Sequence, residues 1–178
     1  MAYFTEQQLY RFADSPALEA RASQFLNESA ATARLSIFLS HSHKDRKKAR
    51  GIVKHLASLG VEVYVDWNDE AMPRETNRFT AERIKERIEQ LDLCMVLLTW
   101  NAWMSKWVPW EIGVADQAKG ESKVMVIPVV DSSGRYYGME FLRLYRRVAI
   151  SNTGATCVVQ PGRTAGPLLE SLFERHAL

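Results

Sequence analysis

Ser105 to Gly120, SKWVPWEIGVADQAKG, sets one carboxylate, Glu111, among three tryptophans, Trp103, Trp107 and Trp110. Pro109 suits the first turn of a helix, where its missing N–H leaves no bond unmade, and Gly120 supplies a left-handed stop after Lys119. The spacing predicts a helix from about Val108 to Lys119, with Glu111 in its first turn. Two effects then oppose each other. The helix dipole favours the charged carboxylate, whereas the indoles desolvate it and push its pKa up. Trp107 and Glu111 are four apart and share a face if the helix begins a turn early, so an indole beside an anion could hold a flat cationic heterocycle. The same tryptophans, at i, i+4 and i+7, also fit an apolar stripe facing the core. Spacing leaves both readings open.

A carboxylate does chemistry only where a scaffold converges on it. Apolar strand-like runs occur at Leu35–Ser40, Val61–Asp66, Cys94–Thr99 and Val124–Val130, with a further one at Arg147–Ile150. Helical periods lie between them. One is capped by Asp45 and runs through Ile52, Leu56 and Leu59 to Gly60; another passes through Phe79, Ile84, Ile88 and Leu91; a short one lies near Met139–Tyr145. Near-continuous apolar strands alternating with helices demand a parallel sheet covered on both faces, an α/β doubly wound fold. Ahead of it, Thr5 with Gln8 forms a capping-box pair, and Ser15-Pro16 restarts a second helix. The expected organisation is therefore an N-terminal helical extension over residues 1–33 and an α/β domain over 34–178 with a C-terminal strand and helix. The apolar faces of the two leading helices must be covered, by the domain or by a second copy of the chain.

Ligands of such sheets bind beyond the carboxyl ends of the strands, where strand order reverses. The segments after Ser40, Asp66 and Thr99 should converge there. They carry Ser40, His41, Ser42 and His43; Asp66, Trp67, Asn68 and Asp69; and the run ending in Glu111. His41 and His43 are two apart, so an extended chain points them to opposite faces, which argues against a metal held by both. His41 reads as a hydrogen-bonding pocket residue. The polar, aperiodic loop from Trp67 to Asn77, with Pro73 inside it, reads as a pocket wall and an assembly surface.

Composition excludes several classes. The 178 residues are 47% apolar, and 23 basic against 21 acidic side chains give a formal charge of +2. That mixed charge gives no reason to expect nucleic acid or an anionic membrane, and the basic run His43–Arg50 reads as a solvated helix face. Cys94 and Cys157 lack metal-site or disulfide-framework spacing, which fits a reducing cytoplasm. No signal peptide and no run approaching 18 apolar residues is present, so no membrane association is expected. GxGxxG after the first strand, GxxxxGK[ST] and GxSxG are all missing, which leaves dinucleotide-fold redox chemistry, P-loop hydrolysis and the α/β-hydrolase triad unsupported.

In order, SIFLSHSHKD, VEVYVDW, the Pro-containing loop, LCMVLLTWNAWMSKWVPWEIGVA and VMVIPVV resemble the successive motifs of a prokaryotic Toll/interleukin-1 receptor (TIR) domain, from about Arg34 to Ile150. The resemblance implies a flavodoxin-like sheet of about five parallel strands, with Asp66, Pro73 and Asn77 spanning the BB loop. Enzymatic members of that family cleave NAD+ at the nicotinamide–ribose bond with the glutamate of a WxxxE element, which is Glu111 in this sequence. Trp107 is the matching tryptophan, associated in relatives with plain or cyclised ADP-ribose as product. On this reading NAD+ is a substrate and no cofactor is required. Ser40, His41, Ser42, Asp66, Trp67 and Trp107 line its site, copies associate through TIR–TIR contacts, and a separately encoded effector responds to the nucleotide product, an arrangement suggestive of bacterial antiphage defence. Two other classes stay open: a non-catalytic TIR–TIR scaffold in which Glu111 serves the fold, and a sensor that binds a nucleotide without cleaving it.

Overall fold

The computed structural model describes residues 1–28, 35–69, 78–138 and 140–174. A short β1 (Phe4–Thr5) leads into α1 (Glu6–Ala13) and α2 (Pro16–Glu28). The capping box forms, with Thr5 Oγ1 accepting from Gln8 N–H at 3.1 Å and Gln8 Oε1 accepting from Thr5 N–H at 2.8 Å. Then follow β2 (Ser36–Ser40), α3 (Arg46–Ala57), β3 (Glu62–Tyr64), α4 (Arg78–Gln90), β4 (Leu93–Leu98), α5 (Trp100–Trp103) and α6 (Trp107–Lys119). The chain ends through β5 (Val124–Val130), β6 (Arg146–Ile150), β7 (Thr156–Val159) and α7 (Glu170–Glu174). Of the loop expected from Trp67 to Asn77, the part from Glu70 onward, Pro73 and Asn77 included, lies outside the described residues.

The strands run in the order β3-β2-β4-β5-β6-β7, all parallel except β7, which is antiparallel to β6. The first five follow the flavodoxin-like order, so the reversal falls between β2 and β4. Every residue of β4 is buried, as a central parallel strand with helices on both faces requires. Its side chains alternate between two cores. Met95 and Leu97 join Ile37, Leu39, Ile52 and Leu56 under α1 and α3, while Cys94, Val96 and Leu98 join Phe38, Ile88 and Ile112 under α4 and α6.

The leading segment is covered by the domain itself. Phe4 and Leu9 are fully buried in the first core, and α1 lies so close on α3 that a Cβ at Gly51 would fall 2.0 Å from the Leu9 carbonyl oxygen. Only a glycine lets these two backbones touch. β1 pairs parallel with Val129 and Val130 of β5, and Ala2 bridges Ile150 of β6, so the N-terminus wedges between the carboxyl halves of two strands that pair directly only near Met125 and Val126.

Candidate functional site

Ser40 ends β2 on one side of the strand reversal, and Glu111 comes from α6 after β4 on the other. Ser40 Oγ donates to Glu111 Oε2 at 2.5 Å, with both residues buried. Glu111 Oε1 has no hydrogen bond among the described residues. α6 begins at Trp107 and not Val108, because Ser105 Oγ accepts from the N–H groups of Trp107 and Val108 at 3.2 and 3.3 Å. Glu111 therefore sits in the second turn, beyond the unpaired N–H groups that were expected to favour its charge. Burial dominates instead and raises its pKa from 4.5 to about 7; the Ser40 bond pulls the other way, and the charge of Asp66 adds a further upward push.

Asp66 opens a single 3-10 turn, Asp66–Asn68, just beyond β3. His41 Nε2 stands 3.7 Å from Asp66 Oδ1, and His43 Nδ1 stands 3.6 Å from Oδ2. The two histidines thus converge on one carboxylate rather than diverging, because the chain leaves the extended conformation at His43, the first residue of another 3-10 turn. They differ in exposure, the side chains being 3% and 78% accessible. Trp67 meets the His41 ring edge-on at 4.5 Å, and the Arg46 guanidinium lies 5.5 Å over Trp67. Ser42 is buried at the start of the turn, its carbonyl accepting from Asp45 N–H at 2.8 Å. Asp69 is drawn away from the group. It accepts from Tyr64 Oη at 2.8 Å and from Arg83 and Arg87, which ties β3 to α4.

The tryptophans do not form the single apolar stripe that was one of the two readings, because the helix breaks at 104–106. Trp103 stacks on Trp100 with centroids 5.0 Å apart, and both are more than 40% exposed. Trp107 and Trp110 pack edge-on at 5.2 Å against the second core. Trp107 keeps its place one helical turn before Glu111.

Sequence reasoning missed a neighbouring network centred on Asp45. Its carboxylate, fully buried, accepts from Lys48 Nζ at 2.8 Å, from Asn101 Nδ2 at 2.8 Å and from Thr99 Oγ1, and makes no helix cap. Lys48 also pairs with Glu6 at 2.6 Å, so that part of the basic run is buried and neutralised rather than solvated. The Lys48 spacing of i+3 was the one local signal; Thr99 and Asn101 arrive from across the strand reversal.

The TIR domain family matches this chain over residues 37–153. The chain belongs to the TIR family. A Bacillus cereus (strain MSX-D12) protein named "Probable 3' cyclic ADP-D-ribose synthase ThsB'" is 34% identical over 152 residues, covering 83% of this chain and 78% of its own. A Cytobacillus dafuensis protein with the provisional name cyclic ADP-D-ribose synthase TIR2 is 30% identical over 109 residues, covering 52% of this chain and 29% of its own. In this TIR domain the WxxxE element is Trp107 to Glu111, and the structure sets its carboxylate on the β2 side of the reversal. Among the described residues no cluster of three or more His, Cys, Asp or Glu is placed to hold a metal ion, and no helix is long and apolar enough to cross a membrane.

Proposed function

We propose that this TIR protein cleaves NAD+ at the nicotinamide–ribose bond and releases nicotinamide with ADP-ribose or its cyclised form. The observation that carries this reading is the Glu111 carboxylate, buried at the strand reversal, held through one oxygen by Ser40 and with the other oxygen unbonded among the described residues. The ThsB' relative, similar over most of both chains, bears the name of a cyclic ADP-D-ribose synthase and supports the same chemistry.

The reaction suits a site with one carboxylate. Nicotinamide leaves with the electron pair of the C1′–N bond and becomes neutral, so no general acid is needed, and the barrier lies in the positive charge that grows at C1′. A carboxylate fixed beforehand beside that carbon stabilises the charge without reorganising solvent. In the free protein burial raises the Glu111 pKa to about 7; a pyridinium beside it favours the charged carboxylate when the substrate arrives. Water then attacks C1′ to give ADP-ribose, or a nucleophile within the same molecule attacks to give the cyclic product, the departing proton going to solvent. Trp107, one turn from Glu111, acts on that branch by shielding C1′ from water.

Ser40, His41, Ser42, Asp66 and Trp67 form the remaining wall. The stacked Trp100 and Trp103, with Met104 60% exposed beside them, make an apolar shelf that suits association between TIR domains. That shelf is also the observation favouring the second reading, a scaffold without catalysis. Under the enzymatic reading the protein works in the bacterial cytoplasm in antiphage signalling, its nucleotide product being received by a separately encoded effector. The test is incubation of purified protein with NAD+, alone and with crowding agents, with nicotinamide and the nucleotide products resolved by chromatography. Nicotinamide release with a cyclic or linear ADP-ribose is expected; its absence at all protein concentrations favours the scaffold.

A further inference from the structure

Between β2 and the turn after β3, two hydrogen-bond acceptors face each other with no donor between them. His41 Nδ1 lies 3.1 Å from the Leu39 carbonyl oxygen. A carbonyl only accepts, so Nδ1 carries the ring proton, and the neutral ring presents Nε2 as a bare acceptor. Burial lowers the His41 pKa below 6.5, which keeps the ring neutral at neutral pH despite the upward pull of Asp66. Nε2 looks at Asp66 Oδ1 across 3.7 Å, too far for a hydrogen bond. Both atoms are buried and neither has a hydrogen-bond partner among the described residues, and only 3% of the His41 side chain is exposed. Facing buried acceptors are unfavourable in the free protein and complementary to a ligand that brings two donors.

We propose that His41 Nε2 and Asp66 Oδ1 together receive the two N–H bonds of a primary carboxamide, that of the nicotinamide ring, and so select an amide over a carboxylate at that position. The proposal rests on the NAD+ reading and adds to it the atoms that recognise the leaving group. Two features single out the amide. A ribose diol also offers two donors, but its oxygens are acceptors as well, and neither member of this pair has anything left to donate: the His41 Nδ1 proton is used by Leu39, and the Asp66 carboxylate only accepts. An amide nitrogen has no accepting lone pair and leaves nothing unmatched. The charge points the same way. Asp66 attracts a pyridinium, whereas a ring bearing a carboxylate sets a second anion against it.

The test compares NAD+ with nicotinic acid adenine dinucleotide, which differs only in carrying a carboxylate for the carboxamide, on the wild-type protein and on Asp66→Asn. A site whose buried acceptors need those donors should favour NAD+ in kcat/KM by roughly 30-fold or more, chiefly through KM. Asp66→Asn keeps the shape, removes the charge and offers a donor, so the preference should shrink to about fivefold or less. Equal use of the two dinucleotides by the wild type, or an unchanged preference in Asp66→Asn, overturns the proposal. Binding of free nicotinamide and nicotinic acid, followed by ligand-observed NMR, judges the pocket independently of turnover. If the wild type cleaves neither dinucleotide, the NAD+ reading falls; the recognition claim then stands on nicotinamide binding in preference to nicotinic acid, and falls if the two bind alike or neither binds.

Discussion

Two buried carboxylates flank the strand reversal, and the protein treats them in opposite ways. Asp45 is surrounded by donors from Lys48, Thr99 and Asn101, and through Lys48 and Glu6 it ties α1 to α3 and to the end of β4. Among the described residues Glu111 has one donor, Ser40, and its pKa is raised to about 7 by burial. A charge met by three donors serves the fold, since its desolvation is offset by bonds that only the folded chain makes. A carboxylate left under-bonded in a buried place stores an unfavourable environment that a cationic substrate relieves. The difference teaches that burial alone does not mark a functional acid. The count of donors around it does.

The largest effect that would break this comparison is on stability at Asp45. Asp45→Ala leaves Lys48 buried with Glu6 as its one remaining carboxylate and should lower folding stability by about 3–5 kcal/mol. Chemical denaturation should show activity lost in step with structure; an Asp45→Ala protein that folds normally and lacks only activity would move Asp45 into the chemistry.

Next is the pH dependence. The folded-state pKa of Glu111 lies above its ordinary 4.5, so the stabilisation from its proton is fully present below about pH 4.5 and lost as pH rises through about 7, a change of roughly 3 kcal/mol. His55 runs the other way. Stacked on Phe12 and bonded to Thr156, it has its pKa pushed down to about 4, first by burial and then by the charge of Arg21, so its contribution is present above pH 6.5 and lost as pH falls through about 4. The two oppose each other in the same window. Glu111→Gln should therefore be more stable than wild type at pH 8 and lose stability more steeply on acidification; parallel pH profiles would show that Glu111 is not strained.

Smaller effects sharpen the picture of what surrounds Glu111. Trp107→Ala should lower the ratio of cyclic to linear product by roughly tenfold, a stacking-sized effect, while nicotinamide release falls less. An unchanged ratio with a collapsed melting temperature would assign Trp107 to the core it packs on. Ser40→Ala removes the bond that holds the Glu111 pKa down, so the acid limb of kcat/KM, expected near pH 7, should move up by about one unit with little change at high pH. A limb that stays put would separate Ser40 from the catalytic ionisation.

Much of the scaffold was legible because hydrophobic period is local. β5 was placed at Val124–Val130, and the end of α6 at Lys119, where Gly120 takes φ 78°. The coming together of Ser40, His41, Asp66 and Glu111 followed from the rule for parallel sheets and needed no family knowledge. What was illegible depended on partners distant in sequence. β1 is two residues long and exists because β5 and β6 part to receive it, and nothing within Phe4–Thr5 encodes that. Asp45 looked like a cap because its real partners, Thr99 and Asn101, lie more than fifty residues away. The helix break that separates Trp103 from Trp107 is local by contrast: the Ser105 hydroxyl accepts from the N–H groups of Trp107 and Val108 and starts the helix within one residue of the expected Val108.

The most direct test of the division between the two carboxylates is Glu111→Gln at pH 8, with single-turnover nicotinamide release and melting temperature measured on the same preparation. Removing a charge that acts at the transition state should slow release by roughly 100-fold or more while the melting temperature holds or rises. Near-normal release, or a loss of activity matched by a fall in melting temperature, would contradict the assignment of Glu111 to chemistry and return it, with Asp45, to the fold.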